Sequence, residues 1–284
     1  MKSPALLLIG VILATAGRAV GQAPLKSLID VAYGTEKRQK LDLYVPGKVV
    51  AGQKSAADST DKPPVLVFVH GGAWKAGSKG VHRFVGQSFA RSGILTVVAG
   101  YRLHPEVVFP AFVEDAAAAV TWARENAASH GGDPDRIFLA GHSAGGHIVA
   151  LLGTDERYLG EPGSHPEWLR GIISLAGVYD MDPGRVPSIR PVFGGAAREE
   201  CMAAAFVDPK DPRFFLLHGH KDLLVPFKEA TSFQKVLTTR GKNPPRTSYH
   251  GDAGHTAILL RFAATDSSRR ALHEEVLEFL RAPK

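Results

Sequence analysis

Cysteine is almost missing from this chain of 284 residues, Cys201 being its single example. One thiol cannot close an intramolecular disulfide or build a Cys-rich metal site. Its setting, Glu199-Glu200-Cys201-Met202, puts two acids beside the sulfur; these raise a thiol pKa and oppose thiolate chemistry, so Cys201 reads as structural. Long apolar runs are also missing. The stretch from Ala5 to Ala16 falls short of the roughly 20 residues that span a bilayer, and no later one is longer, so no stable membrane insertion is expected. The formal net charge is +6, but Lys and Arg are scattered rather than interleaved with aromatics in a stripe. Nucleic acid is therefore not expected as a partner, and the surplus suits solubility or attraction to acidic polymers.

What is present at the start has the layout of a secretory signal: Lys2, the apolar run, then the small residues Ala19 and Gly21 ahead of a cleavage point between Gly21 and Gln22. Residues 1–21 are expected to be a signal peptide and the protein to be secreted or periplasmic. Residues 22–284, with neither repeats nor a low-complexity tract, are expected to form one domain.

Eight short apolar or β-branched runs read as strands: Ile29 to Tyr33, Leu41 to Val45, Val65 to Val69, Leu95 to Val98, Ile137 to Ala140, Ile172 to Leu175, Phe214 to Leu217 and Arg246 to Tyr249. The first two alternate in polarity around Asp30 and Asp42, as edge strands with one wet face do, whereas the later ones suit parallel strands buried on both faces. Helical spacing recurs between them, at Val81, Phe84, Val85 and Phe89, at Val113, Ala116, Val120 and Ala123, and at Leu272, Val276, Phe279 and Leu280. Strand and helix alternate, which predicts an α/β fold with a mostly parallel eight-stranded sheet and helices on both faces. The polar stretch Gly47 to Pro64 reads as a surface loop, and the Asp-Pro-rich connection Asp180 to Pro212 as broken structure forming a short lid.

Four segments carry chemistry. Gly141-His142-Ser143-Ala144-Gly145 fits G-x-S-x-G; that pattern is weak alone, but here it lies between a strand and an apolar helical start, the context of a nucleophile elbow. Ser143 is the candidate nucleophile. His70-Gly71-Gly72-Ala73-Trp74 follows the strand ending at Val69, and backbone N–H groups of Gly71 or Gly72, with that of Ala144, are candidates for an oxyanion hole. Trp74 and His142 are assigned to the substrate pocket, although Trp74 could equally just pack, and His70 reads as structural. In His218-Gly219-His220-Lys221-Asp222 the acid Asp222 is placed to orient a histidine, with Asp180 as rival. The general base is then His255, in a glycine-flanked loop, in preference to His250. The trio His218, His220 and Asp222 matches no standard zinc spacing, and Lys221 opposes a cation, so no metal is expected.

In order along the chain, HGGAW, GHSAG, HGHKD and AGHT resemble the esterase/lipase branch of the α/β-hydrolase superfamily. More loosely, with YGTEKRQKLDLYVP and GGDPDRIFLAGHSAGGH, they resemble its group of feruloyl-esterase-like carboxylesterases, kynurenine formamidase and isoprenylcysteine methylesterase. The resemblance implies the α/β-hydrolase fold, a serine carboxylesterase without a cofactor, and a small-molecule or polysaccharide-linked ester as substrate. Tyr101-Arg102-Leu103 with Phe109-Pro110 is similar to a segment of hormone-sensitive-lipase-like esterases, although a bulky helical cap like theirs is not expected here. An arylformamidase or other small-amide hydrolase is the alternative enzyme, and a non-catalytic binding protein the alternative of another class.

Overall fold

Val65–Val69 forms β3, five apolar residues with no exposed face. Its odd positions Val65, Val67 and Val69 enter one hydrophobic cluster, and Leu66 and Phe68 enter another, because side chains alternate across a strand. This is the centre of an eight-stranded sheet in a computed structural model that describes residues 25–47, 62–161, 164–264 and 270–282. The expected signal peptide, with most of the Gly47 to Pro64 loop, lies outside the described residues.

The strands are β1 (Lys26–Ala32), β2 (Lys40–Val45), β3, β4 (Leu95–Ala99), β5 (Ile137–His142), β6 (Leu169–Leu175), β7 (Arg213–Gly219) and β8 (Arg246–His250), in the order β1-β2-β4-β3-β5-β6-β7-β8. β1 and β2 are antiparallel, as are β2 and β4; β4 to β8 run parallel with β3. One face is covered by α1 (Arg83–Arg91), α6 (His255–Phe262) and α7 (Arg270–Arg281), the other by α2 (Ala111–Ala127), α3 (Ala144–Thr154) and α5 (Lys228–Arg240).

Two local readings change. Asp42 is not on a wet face: β2 lies inside the sheet, and Asp42 is buried, 2.5 Å from Lys79 Nζ and accepting from the N–H of Asp30 at 3.0 Å. A buried carboxylate needs such partners, and they come from loops that a strand pattern does not show. Val81 lies in a 3-10 turn before α1 and is exposed. The connection from Asp180 to Pro212 folds into three 3-10 turns and the single-turn α4 (Arg198–Cys201). It is anchored rather than loose, with Val192, Phe193, Cys201 and Met202 buried in the core.

Candidate active site

Four parallel strands, β3, β5, β7 and β8, lead at their C-terminal ends to the candidate residues, the usual ligand edge of an open α/β sheet. β5 runs through His142 and α3 starts at Ala144, so Ser143 occupies the one-residue turn between them, with φ 57° and ψ −119°. A positive φ on a non-glycine residue costs about 1–3 kcal/mol and persists only where its surroundings enforce it. They do so here: Ser143 N–H donates to Leu175 O on β6 at 2.9 Å. A Cβ at Gly145 would stand 2.1 Å from Val69 O and one at Gly141 2.2 Å from Gly145 O, so only glycine lets α3 pack this close to the sheet. Ala144 is the first residue of α3, where the backbone N–H has no partner within the helix.

The loop after β3 approaches this turn. A Cβ on Gly71 would lie 3.0 Å from Ser143 Cβ and 2.7 Å from His142 O, so the loop backbone sits against the serine. Gly72, Ala73 and Trp74 all have positive φ, at 130°, 51° and 57°, and Gly72 O accepts from the N–H groups of Lys75 and Ala76 at 3.0 and 2.9 Å. His70 secures the loop from below: its Nδ1 lies 2.8 Å from Gly71 O, its ring stacks on Tyr101 at 4.4 Å, and Tyr101 Oη donates to His70 O at 2.9 Å. Burial pushes the His70 imidazole down to about 3, which keeps it neutral.

Asp222 and His255 meet directly, Nδ1 to Oδ2 at 2.7 Å. Oδ1 of Asp222 accepts from the N–H groups of Leu224 and Val225, each at 2.9 Å. Burial alone would raise this carboxyl; bonds from His218, His255 and the Val225 N–H outweigh it and hold Asp222 well below the usual carboxylate range. His255 is the first residue of α6 rather than part of a free loop. The rivals are engaged elsewhere: Asp180 faces Arg198 at 3.4 Å, and His250 lies 3.2 Å from both Ser248 Oγ and Arg261 Nη1.

Both residues assigned to the pocket are buried. Trp74 is buried, edge-on to His147 and Phe193 at 5.2 and 5.0 Å, so it packs beneath the loop. His142 is buried too, with Nε2 3.0 Å from His255 O, a bond that sequence spacing does not announce. His218, considered above only as a metal ligand, instead lies 3.0 Å from Val225 O and 3.4 Å from Asp222 Oδ2. Its position four residues before the acid, at the end of the same strand, was the available signal. Cys201 is buried, and burial together with Glu200 and Glu199 pushes its thiol up to about 12. A shallow cleft of about 450 Å³ lined by Glu114, Thr121, Arg157 and Tyr158 lies over α2 and includes none of the candidate residues. No helix among the described residues is long and apolar enough to cross a membrane.

An eight-stranded, mostly parallel sheet with a serine on a strained strand-to-helix turn and an Asp–His pair at neighbouring strand ends defines the class: the chain has the α/β-hydrolase fold. Residues 53–183 match the BD-FAE family model, and residues 191–282 match that of the prolyl oligopeptidase family. The probable isoprenylcysteine alpha-carbonyl methylesterase ICMEL1 of Oryza sativa subsp. japonica is 33% identical over 270 residues, covering 87% of this chain and 61% of that protein. Esterase LipC of Mycobacterium tuberculosis is 29% identical, covering 85% of this chain and 62% of that one. The chain thus spans about three fifths of these curated relatives. Among solved structures, the thermophilic esterase Est2 of Thermogutta terrifontis superposes with a TM-score of 0.67 at 24% identity over 89% of each chain, a likeness of fold.

Proposed function

We propose that this protein hydrolyses carboxylic esters of small or aryl type through an acyl-enzyme on Ser143. The observation that carries the reading is the 2.7 Å bond from His255 Nδ1 to Asp222 Oδ2, together with the positive-φ turn that holds Ser143. In this scheme His255 takes the Ser143 proton through Nε2 as Oγ attacks the ester carbonyl, and Asp222 fixes the tautomer with the other proton on Nδ1. Negative charge on the carbonyl oxygen is met by backbone N–H groups of Gly71 or Gly72 and of Ala144, each worth about 3–4 kcal/mol to the transition state. The proton then passes to the leaving alkoxide, and water admitted by the same base releases the acid. The methyl ester named for the rice relative is one candidate substrate and polysaccharide-linked esters another, the latter in keeping with the export that we propose for residues 1–21.

The test is a panel of p-nitrophenyl acetate, a feruloyl ester and N-formylkynurenine with wild type and Ser143→Ala. Turnover of one or both esters, reduced by about 10³-fold or more in the variant, is the expected result. Ester turnover unchanged by the substitution would remove Ser143 as nucleophile, and turnover confined to the formamide would make the enzyme an amide hydrolase.

A further inference from the structure

His142 is the last residue of β5, directly before Ser143, and is 6% exposed. Its Nε2 lies 3.0 Å from the main-chain oxygen of His255. A carbonyl only accepts, so Nε2 carries the proton and donates it, and in the neutral ring Nδ1 is left as a lone pair. That Nδ1 faces the loop after β3: a Cβ built on Gly71 would stand 3.2 Å from it. The same ring lies against the imidazole of His255, with centroids 4.6 Å apart and planes inclined by 47°. One side chain therefore touches the turn beside Ser143, the loop offered as oxyanion hole and the residue offered as base.

The bond to His255 is to its main chain, and this separates the contribution of His142 from that of Asp222. Asp222 fixes the ring of His255 through Nδ1 but leaves rotation of the backbone that carries it. His142 adds a bond to the carbonyl of the first residue of α6, at the helix end whose first N–H groups have no partner within the helix. Two anchors, one on the ring and one on the backbone, determine where Nε2 of His255 points.

Given the Ser143, His255 and Asp222 reading on which it rests, we infer that His142 is a positioning residue that holds the His255 backbone in register with Ser143, and does not form part of the substrate pocket. The charge state of the pair agrees. Burial first, and the neighbouring His255 second, push the His142 imidazole down to about 3, against the raising effect of its bond to the His255 backbone, with His82 lowering it further and Asp222 opposing. His142 thus stays neutral near pH 7 while His255 takes up the serine proton.

The experiment compares His142→Phe, which keeps a ring without a donor, with His142→Gln, whose amide N–H₂ reaches about as far as Nε2. Both are assayed on acetyl and butyryl p-nitrophenyl esters, with Ser143→Ala beside them and thermal unfolding recorded for each. His142→Phe is expected to lower kcat by about 10–100-fold, equally on both esters and with KM within about twofold, the scale of a small misplacement of a reacting group. His142→Gln is expected to restore kcat to within about fivefold of wild type. If His142→Phe does not fold, His142→Met, which matches glutamine in length without its donor, takes its place. The inference is overturned if the donor-less variant keeps full kcat, if KM or acyl-chain preference changes while kcat holds, or if His142→Gln is as impaired as His142→Phe. An active Ser143→Ala would overturn the serine reading itself, whereas a dead Ser143→Ala beside a fully active His142→Phe overturns only the role of His142.

Discussion

Asp222 accepts from the N–H groups of Leu224 and Val225 on Oδ1, while Oδ2 faces His255 at 2.7 Å and His218 at 3.4 Å. This division predicts how Asp222→Asn would behave. The asparagine oxygen stays on the two backbone donors, so its N–H₂ must face His255 Nδ1 and His218 Nε2. There it donates to Nδ1 and drives the His255 proton to Nε2, the atom that must accept from Ser143. It also opposes the N–H of His218, which donates to Val225 O. The expected outcome is a loss of about 10⁴-fold in kcat with little change in KM, read by steady-state kinetics on p-nitrophenyl acetate. Full activity would show that the Asp222 charge and acceptor are not needed. At this scale the sequence displayed Ser143, Asp222 and His255 through glycine-rich turns at strand ends, each with a local pattern. The places of His142 and His218 depend on bonds to main-chain oxygens of His255 and Val225, and a main-chain oxygen has no signature in a sequence.

At the scale of elements, strands were legible because burial on both faces leaves a plain mark. Val65 to Val69 agrees at both ends, and the other runs lengthen by one to three residues at one end or both as the ladder extends into residues of mixed polarity, such as Leu169-Arg170-Gly171 at the start of β6, although β1 also stops one residue short, at Ala32. β1 was located but not understood: it carries a register shift between Leu28 and Val31, and Asp30 has φ 60°, so its alternation does not sort cleanly into wet and dry faces. The long connection after β6 was read as broken and is broken, yet Val192, Phe193 and Met202 are buried. In 3-10 turns of three or four residues, apolar side chains show no period of 3.6, so nothing in the pattern marks them as core. The loop that carries His255 ends, and α6 begins, at His255 itself, a boundary hard to read because Gly254 at the N-cap lacks the side-chain oxygen that usually announces a helix start.

Over the whole molecule, several buried imidazoles set the response to acid. Burial pushes His70 and His142 down to about 3 and His147 to about 4, against roughly 6.5 in the unfolded chain. Between those limits the unfolded state binds more protons, so stability is full above about pH 6.5 and is lost as pH falls toward 3, by up to about 1.4 kcal/mol per group and pH unit. Asp211 opposes this: burial raises it to about 6, so its contribution is present below the unfolded value near 3.8 and disappears as pH rises through 6. Three shifts of the larger size outweigh one of about two units. Calorimetry is expected to show the unfolding temperature falling by at least about 5 °C from pH 7 to pH 5, and a constant or rising value would contradict the buried neutral imidazoles. Across the same molecule, one chemical event carries the functional reading: the oxygen of Ser143, held on its strained turn, gives its proton to His255 and attacks. A fluorophosphonate reagent reports that event without depending on the natural substrate. Peptide mass spectrometry of the labelled, folded protein is predicted to find one adduct, on Ser143, absent from Ser143→Ala and formed far more slowly in His255→Ala. An unlabelled Ser143 in folded protein, or an adduct on another residue, would contradict the account.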